Sequence, residues 1–185
     1  MFNPLKRDIT KQNLLMKKLS TLLFVFTTLF LTEAFAQEKK PLSPKDSVEG
    51  TVGGAKTKIV YCRPSARGRK MIGEKEPYGK VWRTGANEAT TVEFSKSVKI
   101  GESTLPAGKY ALFTIPGEKE WTIIFNKEHK QWGAYNYKES EDVLRVKAKP
   151  SKTAEFIETF TIQPANEKIS LKWENTAVDI DVKKN

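Results

Sequence analysis

The sequence has few of the residues on which disulfide, metal and histidine chemistry depend. Cys62 is the only cysteine and His129 the only histidine among 185 residues. A lone cysteine excludes an intramolecular disulfide, so the stability of the fold has to come from its core. Together the two residues fall short of the ligands of a zinc site, so we predict no metal and no cofactor. Glu139, Glu141 and Asp142 offer oxygen atoms to calcium, but they lack the ordered spacing of a calcium-binding loop.

The same shortage limits the catalytic arrangements that the chain can build. A Ser-His-Asp or Cys-His site needs His129 beside a nucleophile, and nothing in the sequence places it there. His129 lies in the charged run 126–130, which predicts a solvated turn. Cys62 lies inside a predicted strand, where a buried and inert thiol is expected.

The chain after residue 47 also lacks any stretch with the spacing of an amphipathic helix. Alternating apolar and polar residues dominate instead, and Gly or Pro turn signals separate the short runs. Residues 109–115 and 121–126 are apolar on both faces, which is typical of central strands, and a short turn joins them. We therefore predict an all-β fold, an antiparallel β-sandwich of jelly-roll-like form. Its last two strands are predicted at 169–174 and 177–182.

A targeting segment precedes this domain. Residues 16–18, Met-Lys-Lys, are followed by an apolar run at 19–31 and by Ala34-Phe35-Ala36. This order is typical of a signal peptide cleaved before Gln37, and Glu33 interrupts the run before it reaches the about 20 residues of a membrane span. We therefore expect a periplasmic or secreted protein with no stable membrane anchor after cleavage.

The segment also sets the expected domain layout. Fifteen polar-rich residues precede Met16, which suggests an upstream start assigned in error, so the true start is either Met1 or Met16. We predict that residues 1–36 are the signal peptide with this extension, that 37–47 are a flexible lead-in, and that the β-sandwich spans 48–185.

A surplus of positive charge points to the kind of partner. The formal net charge is +10, and removing residues 1–36, which carry five basic and two acidic residues, lowers it to +7. Such a surface favours acidic partners, so we expect a polar or anionic small molecule or a glycan. Nucleic acid is not expected as the partner of an exported protein.

Two irregular connections, 63–89 and 127–142, carry the candidate binding residues. Trp82 offers a stacking face, Arg83 a bidentate donor and Asn87 both a donor and an acceptor, and Trp132 and Tyr135 add aromatic faces suited to sugar rings. A purely structural interpretation stays open: Trp82 caps the core, Arg83 pairs with Glu88, and Asn87 binds loop backbone.

A basic run at 63–70 adds four cationic side chains to the first connection. Its simplest interpretation is a solvated loop, because clustered charge is tolerated in water. The alternative is a basic rim around an anion, with Arg63 and Arg69 as the candidate contacts.

Several of these motifs resemble one bacterial family. They are Tyr61-Cys62-Arg63-Pro64, Gly68-Arg69, the run from Tyr78 to Asn87 that contains Trp-Arg-Thr-Gly-Ala-Asn, the run from Leu105 to Tyr110, and Trp132-Gly133-Ala134-Tyr135. The chain resembles the bacterial domain of unknown function 2911 over about residues 48–182. The resemblance implies an exported β-rich domain and brings no established activity.

Three hypotheses about function follow. The first is a binding module for a polar or anionic ligand such as a glycan. The second is a hydrolase that uses Glu88 with Arg83 and Asn87. The third is a structural or interaction protein of the cell envelope. The residues predicted to form the binding site are Arg63, Arg69, Trp82, Arg83, Asn87, Trp132 and Tyr135, with Glu88 as the catalytic candidate.

Overall fold

Antiparallel strands are the main secondary structure of the described chain. The computed structural model describes residues 14–18 and 41–185. The chain divides into two units, 1–40 and 41–185, and the second is described below. Its strands are β1 (Lys45–Val52), β2 (Ala55–Cys62), β3 (Thr91–Phe94), β4 (Val98–Ile100), β5 (Ser103–Leu105), β6 (Gly108–Ile115), β7 (Trp121–Asn126), β8 (Asp142–Ala148), β9 (Pro150–Ala165) and β10 (Lys168–Lys184), with a 3₁₀ turn at Glu139–Glu141.

The predicted signal peptide lies outside the described residues, apart from the short helical segment 14–18. Over residues 14–18 and 41–185, no helix is long and apolar enough to cross a membrane. Part of the predicted lead-in, residues 37–40, also lies outside the described part. Its remainder contains the start of β1 at Lys45, three residues before Val48, where we expected order to begin.

Ten strands form two sheets, which confirms the prediction of an all-β, two-sheet fold. One sheet has six strands in the order β1-β2-β3-β6-β7-β8, and the other has four in the order β5-β4-β10-β9. All pairings are antiparallel. β6 lies between β3 and β7, so the apolar character of both its faces correctly predicted a central strand.

The core forms between the facing sides of the two sheets. In β2 the inward side chains are Thr57, Ile59 and Tyr61, which alternate with the outward side chains of Lys56, Lys58 and Val60 as a two-residue period requires. The register pairs Ile59 with Val92, so neighbouring strands present the same side to the core. Three tryptophans lie in this core, and the aromatic cluster formed by Trp82, Trp121, Trp173 and Phe160 joins residues of both sheets.

β10 folds back on itself near Glu174. A straight strand rises about 3.3 Å per residue, which would hold Lys168 and Asp179 about 35 Å apart. Instead the Lys168 Nζ lies 2.5 Å from an Asp179 carboxylate oxygen, and the backbone N–H of Val182 donates to the carbonyl of Glu167. The reversal occurs where Glu174 has a φ of 52° and the pairing with β9 shifts register.

The two predicted strands at 169–174 and 177–182 are therefore the two arms of β10. Val178, Ile180 and Val182 are buried on the second arm, while Asp179 and Asp181 are exposed, as the alternation predicted. Alternation in the sequence predicts a strand at 156–163, and β9 is longer because Pro150 to Lys152 also pair with the second arm of β10. Most side chains in that first part of β9 are exposed, so no apolar alternation marks it in the sequence.

The outer face of the six-stranded sheet is only half covered. Ala111, Phe113 and Ile124 form a second small apolar cluster there with Ala89. Val81, Ala134 and Tyr137 pack against this cluster from the two irregular connections. Among the described residues, the other half of the face, on β1, β2 and β3, has no such apolar cluster over it, and the boundary between the two halves positions the site described next.

Candidate functional site

An open cleft lies on the outer face of the six-stranded sheet, beside the loops that cover its other half. Its volume is about 320 Å³, at the lower end of the range for small-molecule sites. The strand register forms its floor, because Val60 pairs with Thr91 and their side chains share the outward face. We call it the outer cleft, and its lining residues are Lys45, Val60, Tyr61, Cys62, Glu88, Ala89, Thr91, Lys109, His129, Lys130, Gln131 and Trp132.

Two loops form its wall, and backbone hydrogen bonds join them. The N–H of Ala89 donates to the carbonyl of Gln131 at 3.0 Å, and the N–H of Gly133 donates to the carbonyl of Asn87 at 2.9 Å. These bonds form an antiparallel bridge between Glu88 and Trp132. The two irregular connections therefore meet at this wall, although 44 residues separate Glu88 from Trp132 in the chain.

Local backbone geometry turns both loops at this wall. Asn87 has a φ of 58° and Gly133 a φ of 67°, values in the left-handed region, where asparagine and glycine are the favoured residues. A Cβ on Gly133 would also lie 2.8 Å from the ring of Tyr135 and 3.1 Å from a terminal nitrogen of Arg83. Glycine at 133 therefore allows the second loop to pack closely against Arg83.

A charged chain of contacts crosses one end of the outer cleft. The Lys45 Nζ lies 3.3 Å from one carboxylate oxygen of Glu88, and the Cys62 thiol donates to the other oxygen at 3.5 Å. The backbone N–H of Glu88 lowers the pKa of its carboxyl most, and Lys45 and Cys62 lower it further, against a smaller opposing effect of burial. Glu88 is therefore ionised at neutral pH.

The Cys62 thiol, in contrast, is protonated at neutral pH. Burial raises its pKa, and the neighbouring Glu88 carboxylate raises it further, while Asn87 and Lys45 act in the opposite direction. Because the thiolate is the nucleophilic form, these contacts hold Cys62 in its unreactive state.

Cations and an exposed aromatic ring dominate the rim. Lys45, Lys109 and Lys130 line the outer cleft, and Trp132 is 58% exposed beside them. Gln131 is 9% exposed and donates through Nε2 to the carbonyl of Glu128, while its Oε1 has no hydrogen-bond partner among the described residues. The outer cleft thus combines donors, acceptors and an apolar face.

Comparison with known protein families gives a match for this chain. Residues 43–182 match the family described as protein of unknown function, DUF2911. The chain belongs to this family. The family resemblance inferred from the motifs is therefore confirmed, and the DUF2911 region contains every residue that lines the outer cleft. No curated protein and no solved structure matches the chain.

Three of the predicted site residues lie at the outer cleft of the DUF2911 domain. Glu88 and Trp132 line it. Asn87 belongs to the wall through its carbonyl, which accepts from Gly133, and its side-chain nitrogen donates to the carbonyl of Ser43 at 3.4 Å. The structure therefore brings together residues from both predicted loop clusters.

Arg63 and Arg69 lie elsewhere in the DUF2911 domain and bind protein groups. Arg63 directly follows β2 and contacts Asp46 at 3.1 Å, the carbonyl of Phe160 at 3.3 Å and the hydroxyl of Thr161 at 3.1 Å. Arg69 donates to the carbonyls of Ala66 and Ser65, both at 2.9 Å. Their guanidinium groups hold the loop after β2 to itself and to β9.

Trp82 lies in the core, where it is 3% exposed and stacks on Trp173 with ring centroids 5.7 Å apart. Arg83 lies between the two loops, and its Nε is buried without a partner among the described residues. It does not form the expected pair with Glu88, which binds Lys45 instead. Tyr135 is 81% exposed on the loop after Trp132 and does not line the outer cleft.

Sequence reasoning missed the lysines, Cys62, Gln131 and His129 as parts of one cleft. A signal was available for some of them. Period-two alternation places Val60 and Cys62 on the same outward face of β2, and the register places Lys45 directly opposite Cys62. The approach of the loop 129–132 had no such signal, because it depends on the backbone bridge between Glu88 and Trp132.

Proposed function

We propose that this DUF2911 domain is a binding module whose outer cleft takes a polar or anionic ligand such as a glycan. The observation that carries the proposal is the exposed ring of Trp132 beside Lys45, Lys109 and Lys130 around one cleft. The targeting segment before residue 37 leads us to propose further that the module works in the periplasm or outside the cell.

Stacking and charge would act together in this mechanism. An exposed indole presents a flat apolar face to the C–H side of a sugar ring, and the lysines donate to acidic or hydroxyl groups at its edge. The backbone bridge between Glu88 and Trp132 fixes the loop that carries the indole. A wall ordered before binding reduces the entropy lost on binding, which favours affinity.

The geometry gives less support to the hydrolase hypothesis. A general acid at neutral pH needs a raised pKa, whereas that of Glu88 is lowered. Arg83 does not pair with Glu88, and Asn87 binds the carbonyl of Ser43. The third hypothesis, a structural or interaction protein of the cell envelope, predicts a surface without a polar cleft. The outer cleft therefore favours the binding hypothesis.

The test is a thermal-shift screen of the purified protein against neutral and acidic oligosaccharides and small anions, followed by titration calorimetry of each hit. We expect at least one hit that raises Tm, and we expect Trp132→Ala to weaken its binding at least tenfold, since stacking of a nucleic-acid base on an aromatic ring contributes about 1–3 kcal/mol and we take the stacking of a sugar ring to be of the same order. Phe156→Ala is the matched control, because Phe156 is also an exposed aromatic residue and lies away from the cleft.

Two outcomes would contradict the proposal. One is a screen in which no compound raises Tm. The other is a hit whose affinity is the same in wild type, Trp132→Ala and Phe156→Ala, because that ligand would bind outside the outer cleft.

A further inference from the structure

The outer cleft carries both signs of charge, and this mixture restricts the ligand. Lys45, Lys109 and Lys130 supply positive charge, and Glu88 supplies a carboxylate within the same cleft. Glu88 neutralises only Lys45, its partner at 3.3 Å. An anionic group can therefore bind at Lys109 and Lys130, where no described ion pair occupies the ammonium groups.

The ionised Glu88 disfavours ligands that carry several negative charges. Like charges within a few ångströms repel, and solvent screens part of this repulsion because the Glu88 side chain is 47% exposed. The same carboxylate accepts hydrogen bonds from hydroxyl groups, which a polyhydroxylated ligand supplies and a sulfate ion does not. Glu88 thus selects for a ligand with hydroxyl groups and a low charge.

The exposed indole of Trp132 completes the set of contacts. Its flat face fits the C–H face of a ring, and a volume of about 320 Å³ suits a small ligand. We infer that the outer cleft binds an acidic sugar, a hydroxylated ring that carries a single carboxylate. The ring stacks on Trp132, the carboxylate binds Lys109 and Lys130, and the hydroxyl groups donate to Glu88. This inference rests on the proposed function of the same cleft.

The test compares three kinds of probe by titration calorimetry with the purified protein. The probes are short oligomers of galacturonate, glucuronate and mannuronate, the neutral oligomers of the corresponding hexoses, and inorganic sulfate. We expect at least one uronate to bind at least tenfold tighter than its neutral counterpart and than sulfate. Lys109→Ala should remove most of that difference, whereas Lys99→Ala, an exposed lysine on β4 outside the cleft, should not.

Glu88→Gln separates the role of the carboxylate from that of the lysines. Removing the negative charge should raise the affinity for sulfate at least fivefold, while the affinity for the uronate rises less because a hydroxyl acceptor is weakened at the same time. A sulfate affinity that does not change in Glu88→Gln would overturn the assigned role of Glu88.

The possible failures can be told apart. If sulfate or the neutral sugars bind as tightly as every uronate and depend on Trp132, the acidic-sugar inference is wrong while the binding function stands. If no uronate binds but another screened compound binds and depends on Trp132, the acidic-sugar inference is again wrong while the binding function stands. If no probe and no screened compound depends on Trp132, both proposals fall.

Discussion

At the scale of single residues, Glu76 has the most unusual carboxyl among the described side chains with shifted pKa values. Burial raises its pKa to about 7, and the nearby Arg83 only partly opposes this effect. In the unfolded chain the pKa returns to the ordinary value of 4.5. The folded state therefore holds this proton more tightly, so the contribution of Glu76 to stability is fully present below pH 4.5 and is lost as the pH rises from 4.5 through 7.

Replacing Glu76 by glutamine mimics the protonated carboxyl and should remove this loss. One pKa unit corresponds to about 1.4 kcal/mol, and partial solvent screening reduces the free energy that the shift of Glu76 represents. We therefore expect Glu76→Gln to stabilise the protein by about 2 kcal/mol at pH 8 and by little at pH 4.5. Urea unfolding at both pH values measures the difference. Glu74→Gln is the control, because Glu74 is exposed; equal effects of Glu76→Gln at both pH values would refute the argument.

Residue types in the two irregular connections led to the prediction of binding residues there, but they did not indicate which side chains line the outer cleft. Trp82 and Trp132 have similar sequence surroundings, yet one is in the core and the other is exposed. In strands, alternation tells the two faces apart. In the loops this period is absent, and the direction of Trp82 follows from its backbone pairing with Thr114, a contact between residues 32 positions apart.

At the scale of secondary-structure elements, Glu174 holds the reversal of β10 to the loop after β2. Its two carboxylate oxygens accept hydrogen bonds from the N–H groups of Met71 and Ile72, both at 2.9 Å and buried. Its carbonyl accepts the hydroxyl of Thr153 at 3.1 Å. The Glu174 side chain thus supplies acceptors for two buried backbone N–H groups that lie outside the strands.

Removing this carboxylate should destabilise the domain. Glu174→Ala leaves both buried N–H groups without an acceptor, and each hydrogen bond to a charged group contributes about 1.5–3 kcal/mol, so we expect a loss of about 3 kcal/mol. Glu174→Gln keeps one acceptor and should lose less. Urea unfolding measures both variants against Glu155→Ala, an exposed glutamate on β9. If Glu174→Ala unfolds at the same urea concentration as that control, the anchor does not stabilise the fold.

Strand positions were predicted to within a few residues, because a two-residue period and glycine turns are local signals. The turn between β6 and β7 follows directly from the Pro116-Gly117 pair. The fold-back of β10 and the first part of β9 could not be predicted in this way. Both depend on contacts between distant residues, such as Glu174 with Met71 and Thr176 with Lys152, which leave no periodic pattern in the sequence.

At the scale of the whole molecule, Trp82 joins the two sheets. Its backbone exchanges two hydrogen bonds with Thr114 of β6, at 2.7 and 2.9 Å, so it extends the six-stranded sheet. Its ring stacks on Trp173 of β10 in the four-stranded sheet and meets Trp121 and Phe160 edge-on. The indole N–H donates to the carbonyl of Gly85 at 3.0 Å, which holds the loop of the cleft wall to the same core residue.

Replacing Trp82 or Trp132 by alanine should therefore change the free energy of unfolding by very different amounts. Trp82→Ala removes a buried ring between the sheets and leaves a cavity, which typically costs about 3–5 kcal/mol. Trp132→Ala removes an exposed ring and should change the free energy of unfolding by no more than about 0.5 kcal/mol. Urea unfolding followed by circular dichroism measures both without relying on tryptophan fluorescence.

A loss below about 1 kcal/mol in Trp82→Ala would show that the sheets are held together without the aromatic cluster. A large loss in Trp132→Ala would mean that the cleft wall is part of the folding core, in which case ligand binding and stability could not be varied independently.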